Sequence, residues 1–425
     1  MSIEAKKNSQ ISLDSEVFKP EDEQTVSDII RGCYKNNLPI EIIGSNSKNF
    51  IGYKLQSAKI LDFSNLSGII EYLPEELYIK VKPGTPLVLI EETLDKNNQQ
   101  LAFETIDFGF IQNGKSNKGT IGGYVSCNFA GSRRFKLGSV RDHILGFRGV
   151  NGKGDIVKSG GIVVKNVTGY DLSKVVTGSF GTLIALTEIT LKVSPKKSSQ
   201  STVAIHTDNL SQVSQLFDKI LSSSNEVSGS VYIPDEPKNE KYNLNKSEIF
   251  KFNDLKYEGS FLAFRLEGDK RSIEERKKDL TRELELKKFK ISNLDFYQSV
   301  LFWKKVNNLE LFGNSKNNIL RVAIPPSNNE KLMKYLKNKY KFYVDWSGSL
   351  FWIEVEDKEE MNIKDIKKFV LSIQGYLTII KRSEKFSFDE SLFTINKTGL
   401  LISKKIKEGF DPKKIFNPGK MYREI

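Results

Sequence analysis

Cysteine and histidine are the two scarcest residues in this chain. Of 425 residues, two are cysteine, Cys33 and Cys127, and two are histidine, His143 and His206. The cysteines show no CxxC spacing and no pairing pattern, so a disulfide framework is excluded. Two thiols cannot supply the four thiolates of an all-cysteine iron–sulfur cluster, so any such cluster lies on another chain. The histidine shortage leaves two imidazoles for proton transfer near neutral pH, and the second half of the chain has none. No apolar run approaches the roughly 18 residues of a membrane span, and residues 1–16 lack a signal-peptide core. These absences predict a soluble, cytoplasmic protein of a reducing compartment, with residues 1–17 as a loose leader. Asn-x-Ser/Thr triplets such as Asn166-Val167-Thr168 are then chance matches.

Charge is the next constraint. The 65 Lys and Arg outnumber the 53 Asp and Glu, a formal net charge of +12. A basic surplus can serve nucleic acid, an anionic substrate or a partner subunit. Many lysines, however, sit beside acidic residues, as in residues 271–290 (RSIEERKKDLTRELELKKFK), which reads as a solvated helical face. No nucleic-acid motif accompanies the charge. Length and an ordinary 38% hydrophobic content predict two domains with sizeable cores.

What the chain does have is glycine in one place. Fourteen of its 30 glycines fall within residues 119–181, about three times the even share. Glycine permits close backbone approach and left-handed turns. We read residues 119–193 as a wall of backbone around a large ligand, a cofactor. Gly149 and Gly154, around Asn151-Gly152-Lys153, fit a hairpin.

Along the chain, Val26, Ile29, Ile30 and Cys33 keep helical spacing after Glu21, and a strand over residues 39–43 runs into Gly44-Ser45-Asn46-Ser47-Lys48. Such a loop can present backbone N–H groups to an anion. Strands are predicted over residues 60–63, 69–73 and 78–81. Thr85 and Pro86 are placed as N-cap and first residue of a helix reaching Lys96. Residues 195–200 read as a polar linker. Beyond it, strands over 202–206, 228–233, 261–266, 320–324, 341–345, 350–355 and 376–380 alternate with helices over 210–221, 272–286, 329–336 and 363–373. That order predicts a ferredoxin-like α+β domain with an antiparallel sheet. The tail reads as a helix over 402–409 followed by an extended, proline-punctuated end.

One motif is a trap. Residues 109–116, GFIQNGKS, match the phosphate-binding pattern G-x-x-x-x-G-K-[ST] letter for letter. The mechanism needs a strand entering the loop and a helix leaving it. The following Gly119, Gly122 and Gly123 are taken as too many glycines to start a helix, so a P-loop nucleotide site is a remote alternative.

The words TIGG, RRFKLGSVRD, GVNGKGDIV, GGIVVKNVTGYDLSKVVTGSFGTL and TEITLKV, in that order, resemble the PCMH-type (vanillyl-alcohol-oxidase) FAD-binding superfamily, and within it the FAD-binding E subunits of bacterial glycolate oxidase complexes. FLAFRLEG, RVAIPP and the end from Phe410 to Tyr422 extend the resemblance. It implies an α+β protein: a two-part FAD-binding domain over residues 18–197, a ferredoxin-like cap domain over 198–390, and a C-terminal helix and tail over 391–425. It implies FAD held by Gly44, Ser45, Asn46, Ser47 and Lys48 as a first phosphate loop and by Thr120, Ile121, Gly122 and Gly123 as a second. Gly181, Thr182, Leu183 and Ile184 would touch the cofactor through backbone. Arg133 and Arg134 face either the cofactor or a substrate carboxylate, and Arg141-Asp142 reads as a structural ion pair. Asp171 suits an N-cap before residues 172–176, and Lys165-Asn166 matches the family words.

Some relatives attach FAD through a histidine of the first loop; here that loop is GSNSK, which predicts non-covalent FAD. The implied activity is oxidation of a 2-hydroxy acid, glycolate or D-lactate, in a complex with a catalytic flavoprotein subunit and an iron–sulfur subunit, peripheral to the inner membrane through that complex. The chain either shares in the chemistry or only binds FAD and organises its partners. His143 reads as a strand-end residue and His206 as the end of a strand, so no catalytic base is assigned, and no metal site.

Overall fold

The computed structural model describes residues 15–55, 57, 59–162, 169–235, 259–356, 360–384, 386 and 391–425. Lys165, Asn166 and the Asn166 triplet lie outside these.

The chain begins with a small parallel sheet. Val17–Phe18, Lys59–Asp62 and Ile40–Ile43 pair in that spatial order. The helix Glu23–Asn36 connects two of them, its first turn capped by the Asp22 carboxylate accepting from the Thr25 N–H at 2.7 Å. Val26, Ile29, Ile30 and Cys33 are its buried face, as their spacing predicts. The tail returns to this sheet: Phe416 bridges Ile40, and Ile415 and Phe416 are buried with Phe18, Val26 and Leu61.

The second half of the first domain is an antiparallel sheet in the order Ile69–Leu73, Tyr78–Val81, Ala185–Pro195, Ile144–Val150 and Ile156–Gly160, with Gln99–Leu101 also on the long central strand. Residues 119–193 are therefore not one wall. Much of the stretch is this sheet and its hairpin, where the Asn151 carboxamide oxygen accepts from the N–H groups of Lys153 and Asp155 at 2.9 and 3.0 Å.

The cap is an eight-stranded antiparallel sheet in the order Lys290–Leu294, Ser199–His206, Phe261–Gly268, Gly229–Ile233, Lys341–Asp345, Leu350–Val355, Asn318–Ala323, Tyr376–Lys381. It is two ferredoxin-like units side by side. In each, strand, helix, strand, strand, helix, strand gives the order fourth, first, third, second. The two second strands meet at Tyr232 and Val344, joining the units into one sheet. The strand Lys290–Leu294 and the helix Phe296–Asn307 that links the units went unpredicted. Of the expected linker only residues 196–198 lie outside strands.

Three local expectations are corrected. The three glycines do not prevent a helix: Ile121–Cys127 is helical, capped by Thr120. Thr85 is not an N-cap; its hydroxyl donates to the Lys82 carbonyl at 2.6 Å, and the helix Leu87–Asp95 is capped by Pro86 without a side-chain bond. His143 ends the helix Val140–His143 rather than a strand, and Asp142 there closes a capping box with Ser139. Asp171 caps Leu172–Val176 through the Lys174 N–H, as expected.

Candidate functional site

Four segments close around one cleft. The strand Ile40–Ile43 delivers residues 44–49, the helix Ile121–Cys127 delivers Thr120, Gly122 and Gly123, the turn at Phe180 and Gly181 forms a third side, and the tail contributes Asn417 and Lys420. The cleft is open to solvent, and the space between its walls, counted with the solvent-filled mouth, is about 800 Å³.

Glycine is required where the segments touch. A Cβ on Gly44 would lie 2.3 Å from the Thr120 hydroxyl oxygen, so the first two loops fit together only without it. Gly181 has φ +69°, and a Cβ there would meet the Asn417 carboxamide at 2.7 Å. Asn417 in turn ties the tail to both neighbours: its Oδ1 accepts from the Ile42 N–H and its Nδ2 donates to the Phe180 carbonyl, each at 2.8 Å.

Two lysines of the cleft are buried without an ion pair among the described residues. Lys48 is buried, its Nζ donating to the Lys118 carbonyl at 3.1 Å and to Ser47 Oγ at 3.2 Å. Lys420 is buried as well, donating to the Asn49 carbonyl at 2.9 Å. Neither amine forms an ion pair among the described residues. Burial pulls both below the usual lysine range. Glu41, which also lines the cleft, acts on Lys420 from a distance, and Asp107 on Lys48. With no carboxylate in contact, the two buried cations remain costly unless an anion joins them. Cys127 also lines the cleft, and burial pushes its thiol up to about 11, which keeps it protonated at neutral pH.

Of the residues expected at the cofactor, Gly44, Ser45, Asn46, Ser47, Lys48, Thr120, Gly122, Gly123, Gly181 and Ile184 line this cleft. Ile121 instead points into the core of the antiparallel sheet. Thr182 and Leu183 line a separate groove under the helix Lys397–Phe410, where the Thr182 carbonyl accepts from Lys407 Nζ at 2.6 Å. Lys420, Asn417 and Cys127 were not singled out. The tail residues sit about 370 positions from the loop they join, and only topology could bring them there.

Arg133 and Arg134 are placed at the seam between domains rather than in the cleft. The Arg133 guanidinium grips Glu267 of the cap, Nε to Oε2 at 3.1 Å, and the backbone N–H of Arg133 donates to Glu104 Oε2 at 2.7 Å. Arg265 donates to Glu104 Oε1 at 2.8 Å, completing a buried two-by-two network. Burial opposes ionisation of Glu267, but Arg265 and Arg133 outweigh it and hold the carboxyl down to about 2. Arg134 lies over the Trp346 ring, 4.8 Å from its centroid. Arg141 gives its N–H to Asn128 Oδ1, while the Asp142 carboxylate is occupied by Ser139, so that expected ion pair gives way to capping.

The GFIQNGKS segment has no P-loop geometry. It forms the short helix Gly109–Asn113, and Asp107 accepts from the N–H groups of Gly109 and Asn117 at 2.9 Å and from Ser116 Oγ at 2.6 Å. Lys115 is exposed. The His143 ring donates from Nε2 to the Leu137 carbonyl at 2.7 Å, and His206 contacts Ser292 Oγ at 3.0 Å; neither lines the cleft.

Comparison with known proteins agrees with this geometry. Residues 15–160 match the FAD binding domain family. The chain is 29% identical over 404 residues to the glycolate oxidase subunit GlcE of Escherichia coli, covering 95% of this chain and 98% of that one. It is 31% identical over 215 residues to the glycolate oxidase subunit GlcD of Bacillus subtilis, covering 50% of this chain and 44% of that one. Among solved structures, p-cresol methylhydroxylase with substrate bound superposes with a TM-score of 0.69 at 14% identity, covering 95% of this chain and 88% of that one. No helix among the described residues is long and apolar enough to cross a membrane. Residues 15–160 are thus an FAD binding domain, and the chain as a whole has the fold of p-cresol methylhydroxylase.

Proposed function

We propose that this chain is the flavin-carrying subunit of a complex that oxidises 2-hydroxy acids such as glycolate or D-lactate. The observation that carries the reading is the cleft with two buried, unpaired lysines, on a chain similar over nearly its whole length to a glycolate oxidase subunit. The diphosphate of FAD is held by the backbone of residues 44–48 and 120–123, with Lys48 and Lys420 as counter-charges. FAD supplies a two-electron acceptor for the carbinol C–H of the substrate. The binding is non-covalent: no histidine lines the cleft among the described residues, and Cys127 is held as the thiol. With two cysteines in the chain, onward electron transfer to an iron–sulfur centre uses a partner subunit.

A second reading is favoured by the histidines. A hydroxyl proton needs a base near neutral pH, and His143 and His206 are both committed elsewhere. On that reading the chain binds FAD and organises a separate catalytic flavoprotein subunit. Anaerobic addition of glycolate or D-lactate to the purified FAD-loaded chain separates the two. Bleaching of the flavin band without partners supports the first reading, and a flavin that bleaches only when the partner subunits are added supports the second. No bleaching in either case removes the 2-hydroxy-acid assignment.

A further inference from the structure

Arg321 stands one strand in from the edge of the cap sheet, on the first strand of the second ferredoxin-like unit, between Trp352 and Thr378 in register. Its guanidinium is enclosed by rings: 5.0 Å from the Trp346 centroid, 5.8 Å from Phe129 and 6.0 Å from Trp352. The Nε atom is buried and has no hydrogen-bond partner. Among the described residues, the Arg321 side chain forms no hydrogen bond and no ion pair. That contrasts with the neighbouring Arg133 and Arg265, whose charges are fully matched by Glu104 and Glu267.

The surroundings add positive charge instead of relieving it. Arg134 comes from the first domain to the same indole, 4.8 Å from the Trp346 centroid, and its field acts against Arg321. The carboxylate whose field acts on Arg321 is Asp345, and its oxygens are taken by Ser132 Oγ at 2.8 Å and the Trp346 N–H at 2.7 Å. Aromatic faces give a guanidinium some attraction, but they do not satisfy its N–H groups. Both arginines are half-buried as whole residues, so an approaching group can reach them. The place adjoins the FAD cleft through two rings: Phe129 packs edge-on against Phe180 with centroids 6.1 Å apart, and Phe180 lines the cleft.

A planar fork of donors with no acceptor, at a domain seam beside a cofactor cleft, is a receptor for a planar bidentate anion. We propose that Arg321, with Arg134 across the Trp346 ring, is the binding site for the carboxylate of the 2-hydroxy acid. The inference rests on the 2-hydroxy-acid reading for the identity of the ligand, and on the unpartnered guanidinium for its location. Trp346 serves as the floor of the site and as its reporter, since its ring touches both arginines.

The test is equilibrium binding of glycolate and of acetate to the full-length FAD-loaded protein, followed by calorimetry and by tryptophan fluorescence, with Arg321→Met, Arg321→Lys and Arg134→Met. Saturable binding of both ligands is expected, since both carry the carboxylate. Arg321→Met should weaken it by roughly 10- to 100-fold, the loss of a charge-assisted hydrogen-bonded pair. Arg321→Lys should fall between, because a lysine cannot bind bidentately. Without ligand, Arg321→Met should melt no lower than the parent chain, because an unmatched buried charge opposes folding. A structural arginine would show the opposite, a lowered melting temperature with ligand affinity unchanged, and that result overturns the proposal. Unchanged affinity in Arg321→Met, or no carboxylate binding by the parent, overturns it as well. If both acids bind through Arg321 but glycolate never reduces the flavin, the site stands and the 2-hydroxy-acid reading fails. If glycolate reduces the flavin of Arg321→Met with unchanged KM, that reading stands and the site fails.

Discussion

Arg133 of the FAD-binding domain and Glu267 of the cap meet side-on, with the Arg133 Nη2 atom 2.5 Å from Glu267 Oε1 and Nε 3.1 Å from Oε2. Both side chains are largely buried, at 13% and 7% exposure. Breaking a buried pair from one side leaves an uncompensated charge, so Glu267→Gln should cost about 3–5 kcal/mol of unfolding stability. The effect depends on pH. The folded Glu267 carboxyl, at about 2, lies below the ordinary 4.5, so its contribution is complete above pH 4.5 and is lost as the pH falls toward 2. Urea titrations at pH 7 and pH 3 check this: the gap between parent and variant should be large at the first and smaller at the second.

Asp345 predicts a dependence of the opposite sign. Burial raises its carboxyl from 3.8 to about 7, against the hydrogen bonds from Trp346 and Ser132. A folded value above the unfolded one means that ionisation costs stability as the pH rises from about 4 through 7. Asp345→Asn removes that titration. The stability of the parent relative to the variant should therefore decline between pH 5 and pH 8, and melting curves across that interval measure it.

Gly44 and Thr120 test how the cleft is assembled. A methyl group 2.3 Å from the Thr120 hydroxyl oxygen must push the two loops apart, so Gly44→Ala should weaken FAD binding at least tenfold and cost about 1–3 kcal/mol of stability. Gly409→Ala is the control. That glycine lies in the helix Lys397–Phe410 with nothing within 4 Å of a Cβ, and alanine there should stabilise by up to about 1 kcal/mol without changing FAD affinity.

Lys407 and Asp411 anchor the tail that completes the cleft. Lys407 is fully buried and its Nζ donates to the Thr182 carbonyl at 2.6 Å and to Asp411 Oδ2 and the Phe416 carbonyl at 2.8 Å. Asp411 also accepts from the N–H groups of Ile415 and Phe416, at 3.1 and 2.8 Å. Asp411→Ala should destabilise by about 3–5 kcal/mol and expose residues 411–425 to protease, with FAD affinity falling because Asn417 and Lys420 move with the tail.

Local patterns were legible where they depend on neighbours in sequence. The buried face of Glu23–Asn36, the Asp171 cap, the hairpin around Asn151 and the bounds of Asn329–Leu336, Lys341–Asp345 and Leu350–Val355 follow from periodicity and turn chemistry. The loops at Gly44 and Thr120 are singled out through the family resemblance, since a run of small residues by itself marks only a turn that can present its N–H groups. Pairings across hundreds of residues were not. Nothing local in NPGKMY says that Asn417 bonds Ile42, or that Lys420 joins Lys48. Arg133 and Arg134 looked alike in RRFK, yet one is matched by Glu267 and the other faces Trp346, because consecutive residues of a short turn point to different neighbours. The helix Ile121–Cys127 was hidden by its glycines: tertiary packing on Pro83 and a Thr120 cap override their poor propensity. The cap's second ferredoxin-like unit was legible strand by strand, whereas the doubling was obscured by the missed strand Lys290–Leu294.

The central claim is that this cleft holds FAD without a covalent bond and that Lys48 and Lys420 balance its diphosphate. The direct measurement is a flavin titration of the purified chain, read by visible absorption, followed by acid precipitation, for the parent and for Lys48→Met and Lys420→Met. One FAD per chain, released into the acid supernatant, with affinity reduced about tenfold or more in each variant, is the predicted result. A chain that takes up no FAD, flavin that stays with the precipitate, or variants that bind as tightly as the parent would contradict it.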